Sequence, residues 1–550
     1  MITLRRRAAL LAGVVVLASA GAIAVWQPWQ PATPAAAPPA PSTSAAAPDQ
    51  SAAYLAADGV RSDWVLTENQ RPGTTKWKIT GAPATGGIAG FADVTYAQVG
   101  QNVTFYVNSS APSFHVEAYR VGYYQGNGAR LVWQSGVESG QQQPACPVAP
   151  GTNMVACDNW SPSFTLRIPS DFPQGDYLFK LVGAFNEQSY VPLTIWQPDS
   201  HGTYLIKNDV FTWQAWNPYG GYDYYQGVGS CPARVYPLCS RARVVSYDRP
   251  YDFADAGGQG TGDFLWLEAP LVRFMEQHGL DVSYATDVTV AEHPDFLGNH
   301  KVLLSLGHDE CWSLQERQAA VAAYQKGMNL AFFGASAVLR HVRTQASPMG
   351  ADREAVDYRD STQDPLNGKG NPLEVTGNTW TSPPAGWSET PFVGESYNGF
   401  LEPKVTKDLT VVNAGSWIFR GTGLANGAGV PNAIGSDVDS LAGNDTYPPD
   451  VEVLAHSTLP VNQAQANTRQ GGNFFSDMTY YSDPASGAGV WDSGTNNWIP
   501  ALTPCANQAG CPAAGVRQMT TNLMLLFGQG PAGKISPSTG NRAQFYPNRS

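Results

Sequence analysis

Between about residues 91 and 196, apolar and polar positions alternate in short runs set off by turn residues: Asn102–Val107, Phe114–Arg120, Phe164–Ile168, Tyr177–Val182 and Val191–Trp196. A period of two puts successive side chains on opposite faces of a sheet, and no run between these segments has helical spacing. The pattern predicts an antiparallel, Ig-like β-sandwich over residues 51–198.

After Asp199 the period changes. Apolar strand runs (Tyr204–Ile206, Val282–Tyr284, Lys301–Leu306, Leu330–Phe333) alternate with helical segments at Pro270–His278, ended by Gly279, and Ser313–Lys326, ended by Gly327. Such alternation predicts an open parallel sheet with helices on its faces, over 199–530. Ser313 and Glu316 form a capping box, with Leu314, Val321 and Tyr324 on one side of the helix they start. Residues 346–470 are polar and rich in Gly and Pro, with β-like islands at Leu409–Val412 and Val451–Leu454, and read as a β-rich insertion. Gly489–Trp491 and Asn497–Ile499 read as strands, Gln518–Phe527 as a closing helix and 531–550 as a tail.

Composition narrows the class. Apolar residues make up 43% and charged residues 14%, too hydrophobic for a disordered chain, and a net charge of −12 disfavours nucleic acid as a partner. Arg5-Arg6-Arg7 precedes an apolar run from Ala8 to Trp26, and residues 27–50 form a Pro/Ala-rich linker. The first 26 residues therefore read as a cleavable signal peptide or an uncleaved membrane anchor, and both place the body outside the cytoplasm. There cysteines pair. Six fall in close couples, Cys146 with Cys157, Cys231 with Cys239 and Cys505 with Cys511, and local loop closure is the simplest of the 15 connectivities that six cysteines allow. Cys311 is left over.

In an open α/β sheet, ligands bind at the carboxyl ends of strands, which points to Gly307-His308-Asp309-Glu310-Cys311-Trp312 ahead of the capped helix. His308 is a candidate base, Asp309 and Glu310 candidates for holding substrate or water, and Cys311 a candidate nucleophile if the helix start lowers its pKa. A structural reading, with Trp312 in the core and an inert buried thiol, stands beside it. Trp213, Gln214, Asn217 and Tyr222, on the loop after the first strand, have the makeup of a small-molecule or glycan pocket, with Trp312 adding to it. Glu395 and Tyr397 could face a metal. The acidic positions Asp437, Asp439, Asp445 and Asp450 miss the calcium-loop pattern at Leu441 and read as solvated charge. There is no His-Glu-x-x-His, phosphate loop or dinucleotide fingerprint, and Gly334-Ala-Ser336-Ala-Val338 lacks the final glycine of a Gly-x-Ser-x-Gly elbow.

Five ordered motifs carry a resemblance: Thr212–Asn217 with Tyr219-Gly-Gly-Tyr222, Gly307-His-Asp-Glu-x-Trp-Ser313, Asn329–Gly334, Trp417–Gly423 and Asp477–Tyr480. Through them the chain, over roughly 200–530, resembles the large (β) subunit of N,N-dimethylformamidase. The resemblance implies a glutamine-amidotransferase-like α/β core and hydrolysis of a small amide at an iron held by two tyrosines and a glutamate. Relatives read tyrosine where this chain has Cys311, and tyrosine before the proline where it has Ala269. From that ligand set only Glu395 remains, and a lone carboxylate does not hold iron, so a metal site here would need other donors such as Cys311 and His308. Two functions follow as expectations: an exported hydrolase of a C–N bond, or a noncatalytic envelope protein that binds a glycan or other small ligand.

Overall fold

In the N-terminal part, β-branched and aromatic residues at every second position leave each strand one face to bury, and the strands satisfy this by pairing into two layers. The computed structural model describes residues 60–80, 87–229, 240–252, 259–443, 445–460, 464–466, 474–505 and 510–547. The first 26 residues, read as a signal peptide or anchor, the linker expected after them, Cys231 and Cys239 lie outside them. Strands β1 (Ile88–Ala92), β2 (Asn102–Ser109), β3 (Ser113–Val121), β4 (Ala129–Gln134), β5 (Phe164–Arg167), β6 (Gly175–Gly183) and β7 (Gln188–Ile195) form two sheets, β1-β2-β5 and β7-β6-β3-β4, with these strands paired antiparallel and the short Tyr96–Ala97 segment added parallel to β7. On β2, Val103, Phe105 and Val107 are buried while Asn102, Thr104 and Tyr106 are more open. Phe105 stacks on Phe164 within its sheet at 4.7 Å and meets Phe179 of the other sheet at 5.0 Å, so one core joins the two layers.

The second part is a seven-stranded sheet. Its strands are β8 (Tyr204–Asn208), β9 (Val282–Thr286), β10 (Val302–Ser305), β11 (Asn329–Phe332), β12 (Glu452–Leu459), β13 (Phe474–Ser482) and β14 (Gly489–Asp492), in the spatial order β9-β8-β10-β11-β14-β13-β12. The first five run parallel, and β13 and β12 close the far edge antiparallel. Every residue of the five parallel strands is buried, as expected of a sheet covered on both faces. The chain leaves β8 for one neighbour, β9, then crosses to the other, β10. The loops after β8 and β10 therefore diverge at the carboxyl ends of those strands, which is the topological switch point of the sheet.

The two parts are joined by a buried ion pair. Arg120 of β3 grips Glu276 of helix α1 (Ala269–Gln277) at 2.5 and 3.1 Å, and Asn69 and Tyr284 donate to the same carboxylate. Helix α2 (Leu314–Tyr324) carries the expected capping box: the Ser313 hydroxyl accepts from the Glu316 N–H and the Glu316 carboxylate from the Ser313 N–H.

Several local expectations are corrected. The buried side of α2 carries Glu316 and Arg317 beside Leu314 and alanines, and Val321 and Tyr324, half-buried, pack against the same core. Asn497–Ile499 is not a strand; a short helix occupies Trp498–Ala501, with Pro500 in the first turn, where its missing N–H costs nothing. Helix α3 (Ala513–Phe527) begins directly after Pro512, five residues earlier than its apolar spacing indicates. The segment read as an insertion contributes β12 to the main sheet. Residues read as a tail pack on the sheet edge, where the Tyr546 hydroxyl donates to Asp477 and Asn541 bonds the backbone of Val453. No described helix is long and apolar enough to cross a membrane.

Candidate functional site

The loop after β10 is shaped by close approach. Gly307 has φ +52°, and a Cβ there would lie 2.6 Å from the Leu267 carbonyl; at Gly334, in the loop after β11, a Cβ would lie 1.4 Å from the Gly307 carbonyl. Only glycine fits at either position, and the two loops consequently lie against each other. His308, Asp309 and Glu310 follow, all three buried, and their side chains enter two different clusters.

Asp309 enters the first. Its carboxylate accepts from Ser305 at 2.6 Å and pairs with Lys207 of β8 at 2.8 Å. Lys207 also meets Glu316 at 3.0 Å and Asp209 at 3.3 Å, with its ammonium over the Trp312 ring. Burial works against the Lys207 charge, but Asp309, Glu316, Asp209 and Asp287 outweigh it and hold the lysine protonated. One cation cannot neutralise four buried carboxylates, and burial with mutual repulsion pushes Asp209, Asp287 and Glu316 upward.

His308 and Glu310 enter the second. The Glu310 carboxylate accepts from Trp216 Nε1 at 2.9 Å and from the Tyr225 hydroxyl, while its other oxygen lies 3.8 Å from His308 Nε2 and 3.7 Å from Arg340 Nε. Trp216 and Tyr225 stack at 3.5 Å, and Arg359 covers the far face of the Tyr225 ring. His308 Nε2 is also 3.6 Å from Asp437 Oδ2. Burial would lower the His308 pKa; Glu310, Asp437 and Asp263 overcome it and raise it to about 9. Burial would raise the Glu310 pKa; His308, Arg340, Arg359 and Tyr225 bring it below the ordinary value. At neutral pH the site thus contains an imidazolium beside an ionised carboxylate, and the neutral histidine base expected from the sequence is not the resting form.

Cys311 also departs from expectation. It is wholly buried, and its N–H donates to Thr212. Burial, then Glu310 and Asp357, push the thiol well above its usual range despite Arg359 and Arg340. A thiolate is disfavoured, because Cys311–Ser313 forms a short strand paired with Arg340–Val342 and places the thiol in the core rather than at the helix start.

Most of the expected pocket residues build the scaffold. Trp213 donates to Glu268; Gln214 accepts from Asn217 and Arg249; Asn217 also donates to the Pro250 carbonyl; and Trp312 is buried with its indole N–H on the Asp309 carbonyl. Tyr222 is partly open and bonds the Val228 carbonyl. The ring pair that meets Glu310 is Trp216 and Tyr225, from the same aromatic stretch. Asp437 and Asp439 are corrected from solvated charge: Asp437 reaches Ser336 and His308, and Asp439 accepts the Ser336 N–H. Lys207, Arg340, Arg359 and Asp263 carry no motif, and Ser336 stands in the elbow-like run that Val338 breaks.

Cys146–Cys157 and Cys505–Cys511 are disulfides and Cys311 is a free thiol, as the local pairing predicts.

The implied iron does not fit these residues. Cys311 is a neutral buried thiol and Ala269 offers no donor. Glu395 lies fully buried beside Asp492, Asp477 and Asp439, which after burial itself push it toward the protonated form. Among the described residues no three His, Cys, Asp or Glu side chains are grouped to hold a metal.

A mainly parallel sheet with a charged acid–base pair at its topological switch point defines the chain as an α/β protein with additional β structure. The chain belongs to the N,N-dimethylformamidase beta subunit-like, C-terminal family, whose model matches residues 115–511. The match begins inside β3, so the family unit includes most of the sandwich as well as the α/β sheet. No curated protein matches the chain.

Proposed function

We propose that this protein is an exported hydrolase of a small amide or similar C–N bond, with an Ig-like sandwich and a glutamine-amidotransferase-like sheet. The observation that supports the reading best is His308, buried as an imidazolium between Glu310 and Asp437 at the carboxyl end of β10. Breaking a C–N bond requires a proton for the departing nitrogen, and a histidine held protonated near neutral pH supplies one. Glu310 keeps the imidazolium charged and remains ionised opposite it. Asp309 fixes the loop through Lys207, and Cys311 fills core volume behind it. Family membership agrees with hydrolysis, and the scaffold roles of Trp213 and Trp312 weaken a glycan platform.

The test is a screen of small amides with purified protein, its His308→Gln and Glu310→Gln variants, and metal analysis of the same preparation. The reading predicts turnover that falls about 100-fold or more in His308→Gln, the scale of losing a general acid. Undiminished turnover in that variant, or none in folded wild type across the screen, would overturn it.

A further inference from the structure

The sequence excludes a Gly-x-Ser-x-Gly elbow at Gly334–Val338 because the fifth residue is valine, and the turn there leads into the strand Arg340–Ser347 rather than into a helix, yet it holds Ser336 in a strained conformation just past the end of a strand. Ser336 lies at φ +62° and Val338 at φ +58°. Positive φ is uncommon for serine and an outlier for a β-branched residue, so surrounding contacts must impose it. They are present: the Ala335 N–H donates to Asn496, the Ser336 N–H to Asp439, the Val338 N–H to the Asp309 carbonyl and the Leu339 N–H back to the Ser336 carbonyl. The turn follows β11, a central parallel strand, and rests on the His308 loop through Gly334 and Gly307.

The side chain is placed as specifically as the backbone. Ser336 Oγ donates to Asp437 Oδ2 at 2.7 Å, and the same oxygen lies 3.6 Å from His308 Nε2. One carboxylate atom therefore stands between a hydroxyl and the protonated imidazole. In the run from Ala335 to Leu339 the Ala337 N–H alone has no acceptor among the described residues. In a strand–turn nucleophile, the N–H that follows the nucleophile is the one that receives the oxyanion.

We propose that Ser336 is the nucleophile of this site, with Asp437 as its base, His308 as the acid for the leaving nitrogen and the Ala337 N–H as an oxyanion donor. This rests on the C–N hydrolase reading and adds to it a covalent acyl-serine. Ser336 Oγ bonds the acyl carbon as its proton passes to Asp437, and the carbonyl electron pair moves onto oxygen. The pair returns, the C–N bond breaks with its electrons going to nitrogen, and nitrogen takes the His308 Nε2 proton. Water then attacks the acyl-serine and gives a proton to the neutral imidazole. As the ester C–O bond breaks, Asp437 returns its proton to Ser336. One amide and one water become one acid and one amine, and every protein group regains its starting state.

The experiment uses a small fluorophosphonate on the full chain, followed by peptide mapping. Oγ–P bond formation expels fluoride and needs no knowledge of the natural substrate. The expected result is one adduct, on the peptide containing Ser336, absent in Ser336→Ala and formed at least tenfold more slowly in Asp437→Asn. Ser336→Gly, which accepts the positive φ without strain, should fold and stay unlabelled. In a Ser336→Cys variant, iodoacetamide should alkylate the new thiol and leave Cys311 untouched. No adduct on folded wild type, an adduct elsewhere, or an unchanged rate in Asp437→Asn would overturn the assignment. Amide turnover without labelling would remove the nucleophile and keep the hydrolase; labelling at Ser336 without amide turnover would do the reverse.

Discussion

Asp309 and Glu310 are adjacent in the chain and equally buried, yet they belong to clusters built on opposite principles. Asp309 faces a single lysine that shares its charge among four carboxylates, with an indole over the ammonium and Ser305 completing the shell. The other cluster mixes signs more evenly: Glu310 and Asp437 face His308, with Arg340 and Arg359 behind Glu310. The first cluster holds β8, β10 and the start of α2 together. The second holds protons on groups that can give them away. A buried charge alone is therefore a weak marker of function; what separates the two clusters is whether the cation titrates in an accessible pH range.

The sharpest way to break this comparison is to remove the lysine. Lys207→Met leaves four carboxylates without their cation and should destabilise the fold by about 3–5 kcal/mol, the usual scale for breaking a buried pair. Denaturant unfolding measures it, and a loss below about 1 kcal/mol would show that the carboxylates simply take up protons. His308→Gln should abolish turnover, with a stability cost smaller than that of Lys207→Met and shrinking as pH rises through about 9, read from the same melts.

The pH dependence has a definite sign. Because folding raises the His308 pKa, its stabilisation is complete below the ordinary histidine value and is lost as pH rises through about 9. Turnover that relies on the imidazolium should fall along the same limb, and His308→Gln should flatten the stability limb. A smaller effect is expected at Tyr225. Its hydroxyl lowers the Glu310 pKa, so Tyr225→Phe should move the acidic limb of the rate profile upward, read from turnover against pH on the acid side. Cys311→Ala should change least: about 1–2 kcal/mol of stability for a small void, with turnover retained. Loss of turnover there would return the thiol to the chemistry.

What could be read from the sequence is what is local. The Ser313–Glu316 capping box needs only a spacing of three, and the strand runs of the sandwich carry their period on their face. Gly307–Glu310 stands out as a candidate site because its position before a helix start is itself local. The partners were not. Lys207 meets Glu316 across 109 positions and Asp437 meets Ser336 across 101, and no spacing rule connects them. Asp437 therefore read as solvent charge until the fold brought it to His308. The turn at Ser336 was hidden for a different reason: a motif tests residue identity, whereas φ is a backbone property that surrounding hydrogen bonds can impose even on a valine such as Val338.

The central claim is that His308 rests as an imidazolium between Glu310 and Asp437. Its ring-nitrogen chemical shifts, followed by NMR from pH 5 to 10.5 in wild-type protein, test it most directly. The account predicts a single titration near pH 9 that moves downward in Glu310→Gln, and a midpoint at or below 6.5 in wild type would contradict it.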